Sequence, residues 1–250
     1  MNSDPVGQAV YTEKRIDFHT HILPNMDDGS SSVEMSVQMI RSLAEQGVKC
    51  IVLTPHFYPT RDNPDHFFEK RKEKLDLLRS ELGNDAPVIL AGAEIHFFEG
   101  ITEMVDLPKL RIEGSLGLMI EMPMCTWSER MISSVFELSR RREYQVILAH
   151  AERYIPLGNL PSIRWLASSG IMMQISSDAF SGMFRSRKAL KLLDEGLVQI
   201  LGSDCHNMTT RPPDLGQAYD MIRKKRGEEA IMYITDNGLS LFSEDIRKRL

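Results

Sequence analysis

The chain is short of cysteine, of aromatic side chains and of long apolar runs, and each shortage removes a class of protein. Its three cysteines, Cys50, Cys125 and Cys205, are scattered over 250 residues. That is no disulfide framework; it fits a reducing compartment, so a cytoplasmic location is expected. No run of about 20 apolar residues exists, so no membrane-spanning helix is expected. The opening segment, MNSDPVGQAVYTEKR, lacks the basic and apolar regions of a signal peptide, and residues 1–14 read as a flexible leader. An excess of positive charge is also missing. Thirty basic residues face 35 acidic ones, a net charge of −5. With no long basic run, no nucleic-acid partner is expected. Repeats, low-complexity stretches and linkers are absent too, so residues 15–250 are expected to form a single domain.

Short, nearly continuous apolar segments alternate with helical patterns. Strands are expected at 15–19, 49–54, 87–94, 116–122, 144–150, 170–176 and 197–204. Continuous apolar strands are buried on both faces, which indicates a parallel sheet. Ser31 and Glu34 fit a capping box before a first helix, and Asn63-Pro64 opens a second that ends near Gly83. Thr126 and Glu129 fit the cap of a third, and further helices fit at about 161–169, 183–195 and 212–226. The stretch 95–115 offers at most one short helix. About seven strand–helix units suggest a (β/α) barrel, although a doubly wound open sheet shows the same alternation.

The position of the chemical residues decides between them. The first strand runs into His19 and His21, and the second leads to His56. The third ends in Glu94, the fourth carries Glu121, the fifth ends in His150, and the seventh delivers Asp204 followed by His206. Barrel enzymes build their sites at these C-terminal strand ends. Any one His there would ordinarily be structural. Jointly, five of the seven histidines beside three carboxylates point to metal, because buried charges need partners or ions. Asp28, in the loop NMDDGSSS, can reach the same place; Asp27 reads as a turn residue. Asp17 reads as a partner that orients a ligand. Nine candidate ligands imply two or three ions, and imidazole with carboxylate suits manganese, iron or zinc. Ions a few ångströms apart can deprotonate a water and neutralise a phosphoryl group. Of the remaining residues, His66 reads as a surface residue, His96 as surface or pocket rim, and Phe97 and Phe98 as packing.

DFHTH at 17–21, HILP with the following DDG, TPH at 54–56, GAE at 92–94, AHAERY at 149–154 and SDCHN with RPP at 203–213 resemble the PHP (polymerase and histidinol phosphatase) superfamily. More narrowly they resemble its bacterial protein-tyrosine-phosphatases of capsule and exopolysaccharide synthesis, the CpsB/YwqE type. The resemblance implies a distorted (β/α)7 TIM-like barrel with three metals, usually manganese. It implies that His19, His21, Glu94 and Asp204 hold one ion. Glu94 would bridge to a second, shared with Glu121 and His150, and Asp28, His56 and His206 would hold the third. The implied substrate is phosphotyrosine on the tail of a bacterial tyrosine autokinase.

Arg153 and Arg211 lie just after His150 and His206, where a guanidinium fork can clamp phosphate. Three rival readings stand beside this one, one of them a non-catalytic metal-binding or regulatory partner, against which the intact ligand set argues. A histidinol-phosphate phosphatase, or another phosphoesterase of the same superfamily, keeps the fold and changes the substrate. Cys205 and Arg211 also fit C-x5-R, the signature of cysteine-dependent phosphatases, in which a thiolate attacks. The intervening residues carry no glycine to wrap phosphate.

Overall fold

A computed structural model describes residues 13–83 and 85–250. Most of the expected leader, residues 1–12, lies outside them. The elements run β1 (Arg15–Thr20), α1 (Val33–Glu45), β2 (Val48–Leu53), β3 (His56–Phe57), α2 (Pro64–Ser80), β4 (Val88–Ala91) and β5 (Glu94–His96). They continue as β6 (Gly117–Glu121), α3 (Glu129–Arg140), β7 (Gln145–Leu148), α4 (Leu160–Ser168), β8 (Met172–Ser176), α5 (Met183–Asp194) and β9 (Ile200–Gly202). Three helices close the chain: α6 (Leu215–Arg226), α7 (Glu228–Ser240) and α8 (Glu244–Arg249).

Every named strand pairing is parallel. One sheet has the order β1-β2-β4 and the other β3-β5-β6-β7-β8-β9. Together they form an α/β half-barrel. Alternate strand residues feed two apolar layers. Phe18, Val52, Leu90, Met119, Ile147 and Ile200 share one cluster, which Leu241, Phe242 and Ile246 complete. The rings of Phe18 and Phe242 stack at 5.5 Å. The opposite strand faces, with Ile51, Leu53, Leu118, Ile120 and Leu148, pack against Ile40 and Leu43 of α1, Leu78 of α2 and Val135 of α3. That double burial is why these strands lack polar alternation.

Several boundaries differ from expectation, each for a local reason. The third expected strand breaks before Glu94, which begins the short strand β5, and His56, expected just past the second strand, begins a short strand of its own, β3. The cap of α1 is Ser32, not Ser31: the Ser32 hydroxyl accepts from Met35 N at 3.2 Å. The cap of α3 is likewise Ser128, while the Thr126 hydroxyl donates to Leu157 O. Asn63 and Pro64 begin α2 as expected. The 95–115 stretch contains β5 and two short 3₁₀ turns, Ile101–Glu103 and Leu107–Leu110. α7 and α8 were not anticipated. At the other end, Glu13 accepts from Arg15 Nε at 2.9 Å and also pairs with Arg223, so the expected leader is tied to α6 by its last residues.

Candidate metal centre

The strand ends, with Asp28 from the loop between β1 and α1, bring the nine expected residues to one place. The register alone brings some together: His56 is paired with Glu94, and His96 with Glu121. His19, in β1, and His21, just past its end, have their Nε2 atoms 3.1 Å apart. Glu94 Oε2 lies 3.1 Å from His19 Nε2, 3.3 Å from His21 Nε2 and 3.0 Å from His56 Nδ1. Asp204 Oδ1 lies 3.6 and 3.4 Å from the same Nε2 atoms of His19 and His21. The His150 Nε2 atom is 2.9 Å from Glu94 Oε1 and 3.6 Å from Glu121 Oε1. Asp28 Oδ1 stands 3.6 Å from His56 Nε2 and 3.5 Å from His206 Nε2.

These spacings suit cations. Bonds of 2.0–2.2 Å in a tetrahedral site put ligand atoms about 3.3–3.6 Å apart. Three groups of donors have ligand atoms within 4.8 Å of one another: His21, Asp28, His56 and His206; His19, His21 and Asp204; and His56, Glu94 and Glu121. Glu94 Oε2, His56 Nδ1 and His150 Nδ1 are moreover buried with no hydrogen-bond partner. Buried polar atoms left in this way are costly unless something else meets them, and an ion can meet the first two. The third of these groups takes His56 where the resemblance implies His150. Both imidazoles touch Glu94, so the grouping differs while the cluster does not.

The backbone is bent to serve the cluster. His150 and Asp204 have φ of 31° and 53°, a left-handed conformation unusual for these residues and typical of functional sites. It also breaks the strand alternation expected from Asp204 to His206. Gly202 is glycine because a Cβ there would stand 2.5 Å from His19 Cβ.

Two supporting residues differ from the reading of the sequence. Asp27 is no mere turn residue. Its Oδ2 meets His21 Nδ1 at 2.7 Å and accepts from His56 N at 2.9 Å, which sets the ring so that Nε2 faces the cluster. Asp17 does not orient an imidazole; it accepts from Ser203 N at 2.8 Å and His19 N at 3.3 Å, stapling the end of β1 to the segment after β9. The orienting role for His19 falls to Gln174, whose Oε1 lies 3.0 Å from His19 Nδ1 and accepts from His150 N at 2.7 Å.

The electrostatics show a strongly coupled cluster. Burial opposes ionisation of Glu94, but the surrounding imidazoles of His19, His150 and His21 hold its carboxyl well below the usual range. Asp204 behaves likewise: burial is outweighed by His19, His21 and Arg153. Burial also opposes charge on His150, yet Glu121 and Glu94 push it up to about 9. His206 is lowered to about 4 by burial, His21 and Arg211.

Arg153 and Arg211 both reach the cluster's edge, and both bond to Asp204 Oδ2, Arg211 at 2.5 Å. Arg211 Nη1 also lies 2.7 Å from His206 Nε2. His96 is at the rim, its Nδ1 3.1 Å from Glu121 and its ring 5.5 Å from that of Tyr58. His66 is exposed and pairs with Asp62, and Phe97 is buried in the core. Cys205 is fully buried in the apolar core, where burial and nearby Asp17 drive its thiol well above the ordinary range. Buried there, the sulfur is out of a substrate's reach, which argues against a thiolate nucleophile.

The sequence matches the family model for capsular polysaccharide synthesis, CpsB/CapC, over residues 15–242. The chain belongs to the CpsB/CapC family. Among relatives, the tyrosine-protein phosphatase YwqE of Bacillus subtilis is 31% identical over 233 residues, 89% of each chain. The tyrosine-protein phosphatase CpsB of Streptococcus pneumoniae is 31% identical over 248 residues, 92% of this chain and 99% of that one. A solved structure from the pair YwqE and CpsB, metal-dependent tyrosine phosphatases, matches with a TM-score of 0.78 at 26% identity. It covers 90% of this chain and 93% of that one. A lactonase of Listeria monocytogenes, with a TM-score of 0.54 at 14% identity, shares the fold. This member of the CpsB/CapC family has no helix, among its described residues, long and apolar enough to cross a membrane.

Proposed function

We propose that this chain is a metal-dependent protein-tyrosine-phosphatase whose substrate is a phosphotyrosine protein, the tail of a tyrosine autokinase of polysaccharide assembly. The observation that carries the metal reading is Glu94 Oε2, a buried carboxylate oxygen ringed by three imidazole nitrogens at 3.0–3.3 Å yet hydrogen-bonded to none. The phosphatase reading is supported by the named activity of the relatives at about 30% identity over most of the chain.

We assign His19, His21, Glu94 and Asp204 to one ion; Glu94, Glu121, His150 and neighbouring His56 to a second; and Asp28, His56 and His206 to a third. Manganese is the first choice, with iron or zinc as substitutes. Bound ions would supply Lewis acidity, activating a water and offsetting phosphoryl charge. The rest falls to the protein. Asp27 and Gln174 fix the imidazoles of His21 and His19 in one orientation. Arg153 and Arg211 are assigned to hold the phosphate. Each is about one-third exposed at the rim, and Arg153 keeps guanidinium donors beyond the one given to Asp204. We further read β2 with β3, and β4 with β5, as two interrupted staves of a distorted (β/α)7 barrel. The parallel bridge from Thr20 to Cys205 supports closure. On that reading residues 15–250 form one domain.

The test is turnover of phosphotyrosine peptides and histidinol phosphate by chelated protein and by protein reloaded with manganese, iron or zinc. Activity should require metal and favour phosphotyrosine; a preference for histidinol phosphate would overturn the substrate assignment. Arg153→Ala and Arg211→Ala should each lower kcat/KM on p-nitrophenyl phosphate by more than threefold, a loss above about 0.7 kcal/mol.

A further inference from the structure

Beside the cluster lies a groove of about 510 Å³, walled by residues 152–164 on one side and by Asp178, Ala179 and α5 on the other. Arg153 belongs to both places: it lines the groove and bonds to Asp204 of the cluster. The groove therefore shares a wall residue with the proposed phosphate site.

Its chemistry is two-sided. Ile155, Pro156, Leu160 and Leu192 give it an apolar floor. Around that floor stand five cations, Arg153, Arg164, Arg185, Lys188 and Lys191, against three carboxylates, Glu152, Asp178 and Glu195. A chain with a net charge of −5 thus has a local positive excess beside its candidate phosphate site. Arg164 is engaged by Glu195 at 2.7 Å and Arg185 by Asp178 at 2.9 Å. Exposed Lys188 enters no ion pair among the described residues. Next to Arg185, in the first turn of α5, Phe184 is 82% exposed.

An inorganic anion has no use for an apolar floor, and a recessed groove does not suit a broad lipid surface. A peptide with an apolar side chain between acidic ones matches both features, the floor by burial and the rim by charge. We propose that this groove is a peptide-docking subsite for the segment flanking the phosphotyrosine, seating an apolar side chain on the floor and acidic neighbours against Lys188. The inference rests on the phosphatase reading and adds a sequence preference to it.

The experiment compares three substrates on metal-loaded wild type and Lys188→Glu: p-nitrophenyl phosphate, a phosphotyrosine peptide with Leu and Asp flanks, and one with Ala flanks. The wild type should favour the Leu/Asp peptide through KM. Lys188→Glu should lose roughly fivefold to tenfold in kcat/KM on that peptide, and under twofold on the other two substrates. A second reading avoids turnover: fluorescence anisotropy with a labelled peptide of the same flanks carrying a non-hydrolysable phosphonate. Its Kd should weaken comparably in Lys188→Glu, with a shallower salt dependence. Equal wild-type rates on both peptides, or an unchanged Kd in the variant, would overturn the docking subsite and leave the phosphatase standing. No metal-dependent turnover of any phosphotyrosine substrate would overturn the phosphatase reading and the subsite with it.

Discussion

Removing the metal should make stability fall with pH between pH 7 and 9. His150 is 2% exposed and its pKa is pushed up to about 9 by Glu121 and Glu94 against the opposing effect of burial. His21 is also raised well above its ordinary value by Asp27, Asp204 and Glu94, although burial opposes this. In chelated protein these rings carry protons in the place of cations. A raised histidine contributes stability that is complete below its unfolded value of 6.5 and is lost as pH rises through the folded value. For His150 the separation corresponds to roughly 3 kcal/mol, lost mostly between pH 7 and 9. Two other buried groups act lower: Asp17, raised to about 7 by burial, loses its contribution mainly below the window, and His206, at about 4, is neutral above it. Urea unfolding of chelated protein should therefore show stability falling across that range. Metal-loaded protein should stay nearly flat across the same range, because a bound imidazole carries no proton and an unfolded one carries almost none above pH 7; the affinity that rises with pH offsets the stability the chelated protein loses. Calorimetric titration at pH 7, in buffers of different ionisation enthalpy, should register at least one proton released on loading. Chelated protein with flat or rising stability from pH 7 to 9, or loading without proton release, would refute the assignment of His150 as a protonated stand-in for metal binding.

Two substitutions test the supports of the cluster. Asp27→Ala removes the acceptor that fixes His21 Nδ1 and should weaken metal affinity by about 10–100-fold, measured by competition with a chromophoric chelator; unchanged affinity would return Asp27 to the role of a turn residue. Gly202→Ala places a methyl 2.5 Å from His19 Cβ and 3.0 Å from His19 N, so β9 must move from β1. It should cost on the order of 1–3 kcal/mol in urea unfolding of the chelated protein, and a smaller loss would show that the strand end relaxes freely.

The parts of the cluster that were legible in the sequence share one property: they interrupt an apolar strand at its C-terminal end. His19, Glu94, His150 and Asp204 each follow such a run, and a barrel gathers those ends. Asp27 was hidden because NMDDGS has the composition of a turn, and a side chain that both turns the chain and orients a ring leaves no separate signal. Gln174 was hidden because one amide inside IMMQIS reads as tolerance, not purpose; its value comes from His19 and His150, 155 and 24 residues away. The same limit explains the misplaced caps. Ser31 and Ser32 are chemically equivalent, and only the backbone geometry selects Ser32, whose φ is −157° and whose hydroxyl reaches Met35 N. The arginines show where position and role part company. Proximity to His150 and His206 in the chain indicated that Arg153 and Arg211 approach the site. Their shared grip on Asp204 is a property of three dimensions, and it makes the carboxylate both a metal-ligand candidate and the anchor of two phosphate-binding candidates. Replacing either arginine therefore perturbs metal and phosphate together, so metal occupancy must be measured beside kcat/KM before a loss is credited to phosphate binding.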